Sequence, residues 1–292
     1  MKYAYFLGCT VPYRESGFDL STRKVMERLR VELVDLLNVG CCGFPFESVN
    51  ELKWLVLSAR VLSYGEEKGL DILCLCPGCS SSLIKTNNTL RANEKLKDEV
   101  NKILGSIGRK YEGTVEVRHL VQALYEDMGL DVIEERVVRP LSLKVAAHYG
   151  CHLLRPSTEI RFEYAQTPES LDLLIEATGA ESIDYYEKEQ CCGGFLEGIS
   201  RDVAYSLCTQ KVVNACYGGA EALVTVCPFC HVMLDFNQKA VEGLWGRPLN
   251  LPVLHYPQLL GLAMGYSLEE LGIKQNRVKV DPLLLERNGI SH

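Results

Sequence analysis

Cysteine is the residue type in this sequence that points most directly to chemistry, with 13 cysteines among 292 residues. Ten of them form two sets of the same composition: a single Cys, an adjacent Cys-Cys pair followed by Gly, and a Cys-Pro-x-Cys block. The first set is Cys9, Cys41, Cys42, Cys76 and Cys79, and the second set is Cys151, Cys191, Cys192, Cys227 and Cys230. Thiolates bind zinc and iron–sulfur clusters and exchange electrons, so the pattern predicts a metal or redox site.

The amino-terminal segment has one Lys and a very short apolar stretch, which does not match a secretory signal. We therefore expect a cytoplasmic protein, and in that reducing compartment clustered cysteines favour metal binding or redox chemistry over disulfides. The net charge of −7 argues against nucleic-acid binding through a basic surface. No apolar run reaches the roughly 18–20 residues that span a bilayer.

The two sets of cysteines belong to an internal repeat. FLGC, VGCCGF, CLCPGC and VRHLVQ in the early half match HYGC, EQCCGG, TVCPFC and VLHYPQ in the late half, in the same order. This order indicates the duplication of a module of about 140 residues. We predict a first domain at residues 1–140 and a second domain, with a carboxy-terminal tail, at residues 141–292.

Strands and helices alternate in each half. The hydrophobic pattern predicts strands at 2–7, 31–37, 70–75, 115–118, 143–149, 181–186, 222–226 and 252–254. It predicts helices at 20–30 (with Ser21 as a possible N-cap), 47–66, 80–104, after the strand at 115–118 to about 128, 168–178, 199–217, 229–242 and 256–265. The fold class is therefore α/β, with two Rossmann-like modules that each hold a roughly four-stranded parallel sheet flanked by helices. Each Cys block follows the carboxyl end of a strand, so each set should converge at one sheet edge.

Five thiolates exceed what a structural zinc ion or a cubane cluster needs, because both take four ligands. The adjacent pair is the unusual part of each set. On an extended backbone neighbouring side chains point in opposite directions, which disfavours chelation of one ion and leaves room for a larger, asymmetric cluster.

The spacing C–x31–CCG–x32–CPGC, followed by C–x39–CCG–x33–CPFC, resembles the paired CCG domains of the heterodisulfide reductase B subunit over essentially the whole chain. The resemblance implies one non-cubane [4Fe-4S] cluster per domain, with the two fivefold cysteine sets as ligands. It also implies a catalytic iron–sulfur component that reduces the coenzyme M–coenzyme B heterodisulfide to two thiols in methanogenesis. The implied partners within the enzyme are a cubane iron–sulfur protein (its C subunit) and a flavin protein (its A subunit), with a hydrogenase or formate dehydrogenase beyond them.

Two other functions stay open. Related two-CCG chains occur in glycolate, lactate and succinate oxidising complexes, so the chain is alternatively an electron-transfer subunit of such a complex. A zinc-binding or thiol-exchange protein would explain the CPxC blocks but not the Cys-Cys pairs. No Gly-rich GxGxxG fingerprint occurs, so we expect a flavin or NAD to reside on a partner.

Several further residues are candidates for a role around the clusters. His152 and His231 each follow a predicted ligand, and either is a candidate proton donor to a departing thiolate, against the simpler alternative of a structural hydrogen bond. Arg14 and Arg155 follow the first Cys of each module and are candidate contacts for an anionic substrate, against surface salt bridges.

Two groups outside the ligand sets have expected structural roles as well. His119 and His255, each three residues before a Gln, are predicted either to hydrogen-bond a cluster sulfur or to cap a helix. Cys74, Cys208 and Cys216 are expected to be buried structural residues.

Overall fold

The computed structural model describes residues 1–290 and contains two four-stranded sheets in which all strands are parallel. The first sheet has the order β2-β1-β3-β4, with β1 (Lys2–Phe6), β2 (Glu32–Asp35), β3 (Ile72–Cys74) and β4 (Val117–His119). The second sheet has the order β6-β5-β7-β8, with β5 (Lys144–His148), β6 (Glu181–Ile183), β7 (Ala222–Thr225) and β8 (Val253–His255). The matching order confirms the predicted fold of two Rossmann-like α/β modules.

Helices cover both sheets. In the first repeat they are α1 (Thr10–Arg14), α2 (Ser16–Arg28), α3 (Glu51–Lys68), α4 (Pro77–Ala92), α5 (Glu94–Gly105), α6 (Leu120–Gln122) and α7 (Leu130–Glu134). Further along the chain are α8 (Cys151–Leu154), α9 (Ser157–Ile160), α10 (Ser170–Glu176), α11 (Arg201–Tyr217), α12 (Pro228–His231), α13 (Gln238–Trp245), α14 (Tyr256–Ala263) and α15 (Pro282–Arg287). Two π-helical segments, Ala123–Met128 and Val232–Phe236, continue α6 and α12. Short 3₁₀ turns lie at Phe44–Phe46, Gly194–Leu196 and Ile273–Gln275. Among residues 1–290, no helix is both long and apolar enough to cross a membrane.

The predicted elements differ from the structure mainly in where helices begin and break. The helix expected at residues 80–104 is two helices, because Asn93 stops α4 and its side chain accepts a hydrogen bond of 3.1 Å from the Leu96 N–H at the start of α5. The predicted N-cap at Ser21 is wrong. Helix α2 begins at Ser16, and the Ser21 hydroxyl lies inside it and donates to the Gly17 carbonyl over 2.7 Å.

One hydrophobic core joins the two repeats. Buried side chains of β1 and α2, such as Tyr5 and Phe18, belong to the same cluster as Val145 of β5 and Leu259 of α14. Each sheet also packs against helices of its own repeat on its other face. The predicted boundary between residues 140 and 141 falls in the connection between the sheets. Because the two repeats share one core, their division into independent domains stays a prediction.

The carboxy-terminal segment packs on the chain itself. The Arg277 and Val278 N–H groups donate to the buried Asp235 carboxylate over 2.6 and 3.0 Å. The Ser142 N–H donates to the Asn288 side chain over 2.6 Å, which ties the region of α15 to the start of the second repeat. The tail up to residue 290 therefore stabilises the second repeat.

Candidate metal centre

The ten cysteines of the two sets form one continuous line of neighbouring thiols. In the first repeat, the thiols interact pairwise in the order Cys9, Cys41, Cys42, Cys79 and Cys76, each influencing the pKa of the next. In the second repeat the same interactions connect Cys151, Cys191, Cys192, Cys230 and Cys227 in the same order, with 3.3 Å between the Sγ atoms of Cys192 and Cys230. The two lines meet where Cys76 contacts Cys227. The structure therefore brings each predicted set together and also places the two sets side by side.

Each Cys-Cys pair lies in an irregular turn outside the strands. Gly43 follows the first pair in the left-handed region at a φ of +87°, and Gly193 follows the second pair at +85°. The Gly43 N–H donates to the Cys41 Sγ over 3.4 Å, and the Gly193 N–H donates to the Cys191 Sγ over 3.3 Å. The two thiols of each pair influence each other's pKa. The expectation that they point in opposite directions on an extended backbone stays a prediction.

The CPxC blocks begin helices in both repeats. Cys76 is the N-cap of α4 and Cys227 is the N-cap of α12, each followed by Pro at the first helical position. Pro fits there because that N–H has no partner inside the helix. The backbone N–H groups of Cys79 and Gly78 help to lower the pKa of Cys76, as expected where the positive end of a helix favours thiolate over thiol.

Contacts within the line of thiols favour the thiolate at selected positions. Hydrogen bonds from Cys41 and Cys79 lower the pKa of Cys42, and hydrogen bonds from Cys227 and Cys79 lower the pKa of Cys76. In the second repeat, hydrogen bonds from Cys151 and Cys192 lower the pKa of Cys191. All 13 cysteines are free thiols. Five neighbouring thiols with backbone N–H donors at each site fit a sulfur-rich metal cluster.

A groove with aromatic walls opens beside the cysteines, between the repeats. It has a volume of 960 Å³. Phe44 and Phe195, which follow the two Cys-Cys pairs, have ring centroids 5.0 Å apart, and Phe195 stacks on Phe229 at 4.7 Å. A smaller apolar cavity of 60 Å³ shares these three rings and is lined by the five cysteines of the first set. The groove and the cavity therefore share a wall of aromatic rings beside the first set of thiols.

The two predicted proton donors, His152 and His231, lie in different environments. His152 lines the groove and meets the Phe44 ring edge-on at 4.7 Å. His231 is buried and turned away from the cysteines, because its Nε2 lies 3.1 Å from the Val253 carbonyl and its Nδ1 lies 2.9 Å from the Glu15 carboxylate. This geometry favours the structural alternative for His231 and leaves His152 as the imidazole that faces the groove.

Neither arginine predicted to bind substrate lines the groove. Arg14 lines a separate cavity of 820 Å³ on the second repeat. Arg155 donates to the backbone carbonyls of Glu189 and Ala165 over 3.2 and 3.3 Å, which is a structural role. Arg201, at the start of α11, is the arginine among the residues that line the groove.

His119 and His255 occupy the N-cap positions of helices, which corresponds to one of the two predicted alternatives. The backbone N–H of His119 donates to the Gln122 side chain over 2.8 Å, and the backbone N–H of His255 donates to the Gln258 side chain over 2.9 Å. His119 also links the repeats. Its Nε2 lies 3.2 Å from the carbonyl of Leu75 and 3.2 Å from that of Val226, the residues that precede Cys76 and Cys227.

Glu15 is a buried residue that the sequence analysis did not identify. Its carboxylate accepts from His255 Nε2 over 3.0 Å and contacts His231 Nδ1, so it joins the first repeat to the second. Although burial opposes the charged form, hydrogen bonds from His231 and His255 lower the pKa of Glu15 to about 2. No motif marks this residue, since its partners come from 216 or more residues later in the sequence.

His148 is a second residue that the sequence analysis did not identify as a candidate. It is the last residue of β5 and is buried at 2% exposure. One of its ring nitrogens and the Sγ atoms of Cys192 and Cys230 all lie within 4.8 Å of one another. Its place within the HYGC block, three residues before Cys151, is the signal that could have marked it.

The remaining cysteines lie outside the line of thiols. Cys74, on β3, and Cys208, on α11, are fully buried, and the Cys208 thiol donates to the Met233 carbonyl over 3.2 Å. Cys216 is half-buried near the end of α11. Burial of Cys74 and Cys208 agrees with the expected structural roles.

Comparison with known proteins places this site in a family context. Residues 3–84 and 145–235 both match the model of the CCG family, described as a cysteine-rich domain. The chain is 42% identical to the B subunit of the ferredoxin/F420H2-dependent CoB-CoM heterodisulfide reductase of Methanosarcina acetivorans, over 95% of this chain and 94% of that one. It is 39% identical to the B subunit of the ferredoxin:CoB-CoM heterodisulfide reductase of Methanosarcina mazei, with the same coverage.

Two more distant similarities extend the comparison. The 8-methylmenaquinol:fumarate reductase membrane anchor subunit of Wolinella succinogenes is 30% identical over 97% of this chain and 99% of that one. A crystal structure of a hypothetical protein from Helicobacter pylori has a TM-score of 0.75 and 16% identity. The similarity covers 96% of this chain and 52% of that chain. At this identity the solved structure supports the fold alone.

Proposed function

Because this chain belongs to the CCG cysteine-rich domain family and carries two copies of that domain, we propose that it reduces the mixed disulfide of coenzyme M and coenzyme B to two thiols as one component of a heterodisulfide reductase complex. The observation that carries the proposal is that Cys76 interacts with Cys227, which places the two five-thiol sites side by side, next to aromatic rings that also line the groove. Reduction of a disulfide requires two electrons and two protons and yields two thiols. Two adjacent one-electron sites suit this requirement.

The residues that hold the metal are, in this proposal, the two fivefold cysteine sets. Each set would hold one non-cubane [4Fe-4S] cluster, and such a group, when bound, supplies electrons one at a time at a sulfur-rich surface. Five thiols per site, rather than four, are the property of the donor set that fits this cluster better than zinc or a cubane.

The groove residues would position the disulfide and exclude water. Phe44, Phe195 and Phe229 enclose the apolar cavity beside the cysteines and would pack against the aliphatic and sulfur atoms of the substrate. Arg201 lies at the groove and would pair with an anionic group of the substrate. His152, between the groove and Cys151, would hold the proton that a departing thiolate takes up.

The proposed electron source is a partner protein in the same complex. The family resemblance implies one partner with cubane iron–sulfur clusters and one with a flavin, and a hydrogenase or formate dehydrogenase beyond them. The two Methanosarcina relatives are each named as a B subunit, which supports a multi-subunit complex for this chain as well.

The test is disulfide turnover by the chain purified anaerobically with its metal. Iron and acid-labile sulfide are measured first, and about eight of each per chain are expected for two four-iron clusters. Oxidation of reduced viologen is then followed with the coenzyme M–coenzyme B disulfide, and the thiols are counted. We expect two thiols for every two viologen electrons, and little turnover with the disulfide of coenzyme M alone.

A matched pair of variants controls for loss of a buried thiol. Cys192→Ser removes a member of the second thiol line, whereas Cys208→Ser removes a buried thiol of the same repeat that lies outside it. The first should lose iron and turnover, and the second should keep both. Full iron content with no disulfide turnover would overturn the proposal. That result would favour the electron-transfer role to which the 30% identity with a fumarate reductase component points.

A further inference from the structure

The two cysteine sites differ in one buried aromatic position. His148 ends β5 three residues before Cys151, and Phe6 ends β1 three residues before Cys9, so the two side chains occupy matching places in the repeats. Both are 2% exposed. Phe6 offers no polar atom, whereas His148 brings an imidazole next to the second set of thiols.

The imidazole of His148 has no ordinary partner. Within residues 1–290, neither Nδ1 nor Nε2 has a hydrogen-bond partner, although buried polar groups in proteins are almost always paired. One ring nitrogen and the sulfurs of Cys192 and Cys230 lie within 4.8 Å of one another, so the ring is aimed at the sulfur atoms of this site. An imidazole always carries at least one N–H donor, so this unpartnered ring can donate to a neighbouring sulfur.

A buried lysine adds to the difference between the sites. Lys211 is 1% exposed, and its ammonium donates to the carbonyls of Glu187 and Lys188, the latter over 2.9 Å. The eleventh residue of α11 is Lys211, and the eleventh residue of α3 is Val61. Burial lowers the pKa of Lys211 to about 8, and Coulombic interaction with Cys192 and Cys230 opposes that shift, so the charge of Lys211 acts on the same thiols that His148 approaches.

We propose that the His148 N–H donates a hydrogen bond to a sulfur of the cluster held by Cys151, Cys191, Cys192, Cys227 and Cys230, and that with Lys211 it makes this cluster easier to reduce than the cluster of the first repeat. The inference rests on the iron–sulfur part of the proposed function, not on the identity of the disulfide. A donor next to a sulfur and a nearby cation both stabilise the added electron, since hydrogen bonds to sulfur and local charge set cluster potentials. His148 is thus a positioning and tuning residue. Five cysteines form the first site without a histidine, so a sixth ligand is not needed.

The experiment is a redox titration of the anaerobically purified chain, followed by electron paramagnetic resonance. The wild-type chain should show two groups of signals with different midpoints. His148→Phe copies the first repeat and should make one-electron reduction of the second cluster at least about tenfold less favourable, or about 59 mV lower in potential. The first group of signals should stay in place. His148→Gln and His148→Asn keep an amide N–H, and at least one of them should recover part of the shift.

Cys208→Ala is the matched control, because it changes a fully buried side chain of the same repeat that lies outside the thiol line. Its two midpoints should equal those of the wild-type chain. Pulsed resonance on the wild-type chain with ¹⁵N-labelled histidine should show a weak nitrogen coupling. A strong coupling, typical of a direct iron–nitrogen bond, or no coupling at all would overturn the inference even where His148→Phe fails to fold.

The failure of the inference is distinguishable from the failure of the proposed function. A wild-type chain that assembles no iron and sulfide contradicts the proposed function. A chain with full iron and sulfide, in which His148→Phe leaves both midpoints in place, contradicts the inference alone.

Discussion

The carboxylate of Glu15 lies 2.9 Å from Nδ1 of His231, and this buried pair connects the helices that follow Cys9 in the first repeat and Cys227 in the second. Both side chains are at most 3% exposed. His231 stacks on His255 at 4.2 Å, and His255 stacks on Phe18 at 3.9 Å, so the pair sits inside an aromatic stack between the repeats. The pair therefore holds the two cysteine sites in register.

Removal of the Glu15 charge should destabilise the chain strongly. Breaking a buried ion pair leaves one partner uncompensated, and we expect Glu15→Gln to lower the free energy of unfolding by about 3 kcal/mol. This is the low end of the usual range, because His231 can lose its proton. Urea denaturation followed by circular dichroism measures the loss. Glu32→Gln, which breaks the exposed pair with Lys2, should leave the urea midpoint unchanged.

Glu15 should also affect how the free energy of unfolding changes at acidic pH. Its pKa is lowered from 4.5 to about 2 in the folded chain. A lowered pKa means that the carboxylate contributes stability above about pH 4.5 and that this contribution is lost as the pH falls towards 2. The difference in unfolding free energy between the wild-type chain and Glu15→Gln should shrink over this interval. If the unfolding free energies of the wild-type chain and Glu15→Gln change in parallel from pH 5 to pH 2, the carboxylate does not stabilise the fold.

The glycines after the Cys-Cys pairs should be required for metal binding. A Cβ at Gly43 would lie 2.8 Å from the Trp54 carbonyl oxygen, and a Cβ at Gly193 would clash still more closely with the Ala204 carbonyl oxygen. Either Gly→Ala change must move the turn that brings the pair of thiols together, so we expect about half of the iron per chain to be lost, more severely for Gly193→Ala. Gly246→Ala is the control, since Gly246 has a φ of +79° but nothing within 4 Å of the added carbon. Equal iron loss in all three variants would assign the effect to backbone strain alone.

Arg201, rather than Arg14 or Arg155, should affect the binding of an anionic disulfide. Arg201 lines the groove and Arg14 lines a different cavity. We expect Arg201→Ala to raise the KM about three- to tenfold, corresponding to about 1 kcal/mol, with little change in kcat, because the charge binds substrate and transition state alike. Arg14→Ala should leave KM unchanged. Steady-state assays measure both variants. A raised KM for Arg14→Ala with an unchanged KM for Arg201→Ala would support the sequence-based prediction that Arg14 binds the anion.

Most of the scaffold could be predicted from the sequence. All eight strands overlap predicted ones, because buried parallel strands appear as short apolar runs such as Lys2–Phe6 and Ala222–Thr225. The short helices α1, α8 and α9 escaped prediction, because helices of four or five residues are too short to show a helical period. The break at Asn93 also escaped prediction, because the apolar pattern continues on both sides of it in α4 and α5. Convergence of each cysteine set also followed from the parallel topology, since the carboxyl ends of parallel strands share one edge.

The sequence by itself determined the two fivefold cysteine sets and the sheet edge at which each gathers, because both depend on local spacing within one repeat. Only the tertiary structure decided how the repeats face each other: that Cys76 contacts Cys227, that Glu15 turns His231 away from the thiols, and that Arg201 rather than Arg14 lines the groove. It also decided that His148 lies buried beside Cys192 with no partner among residues 1–290. These relationships arise from packing between residues far apart in the chain, and such packing leaves no periodic or motif signal in either repeat.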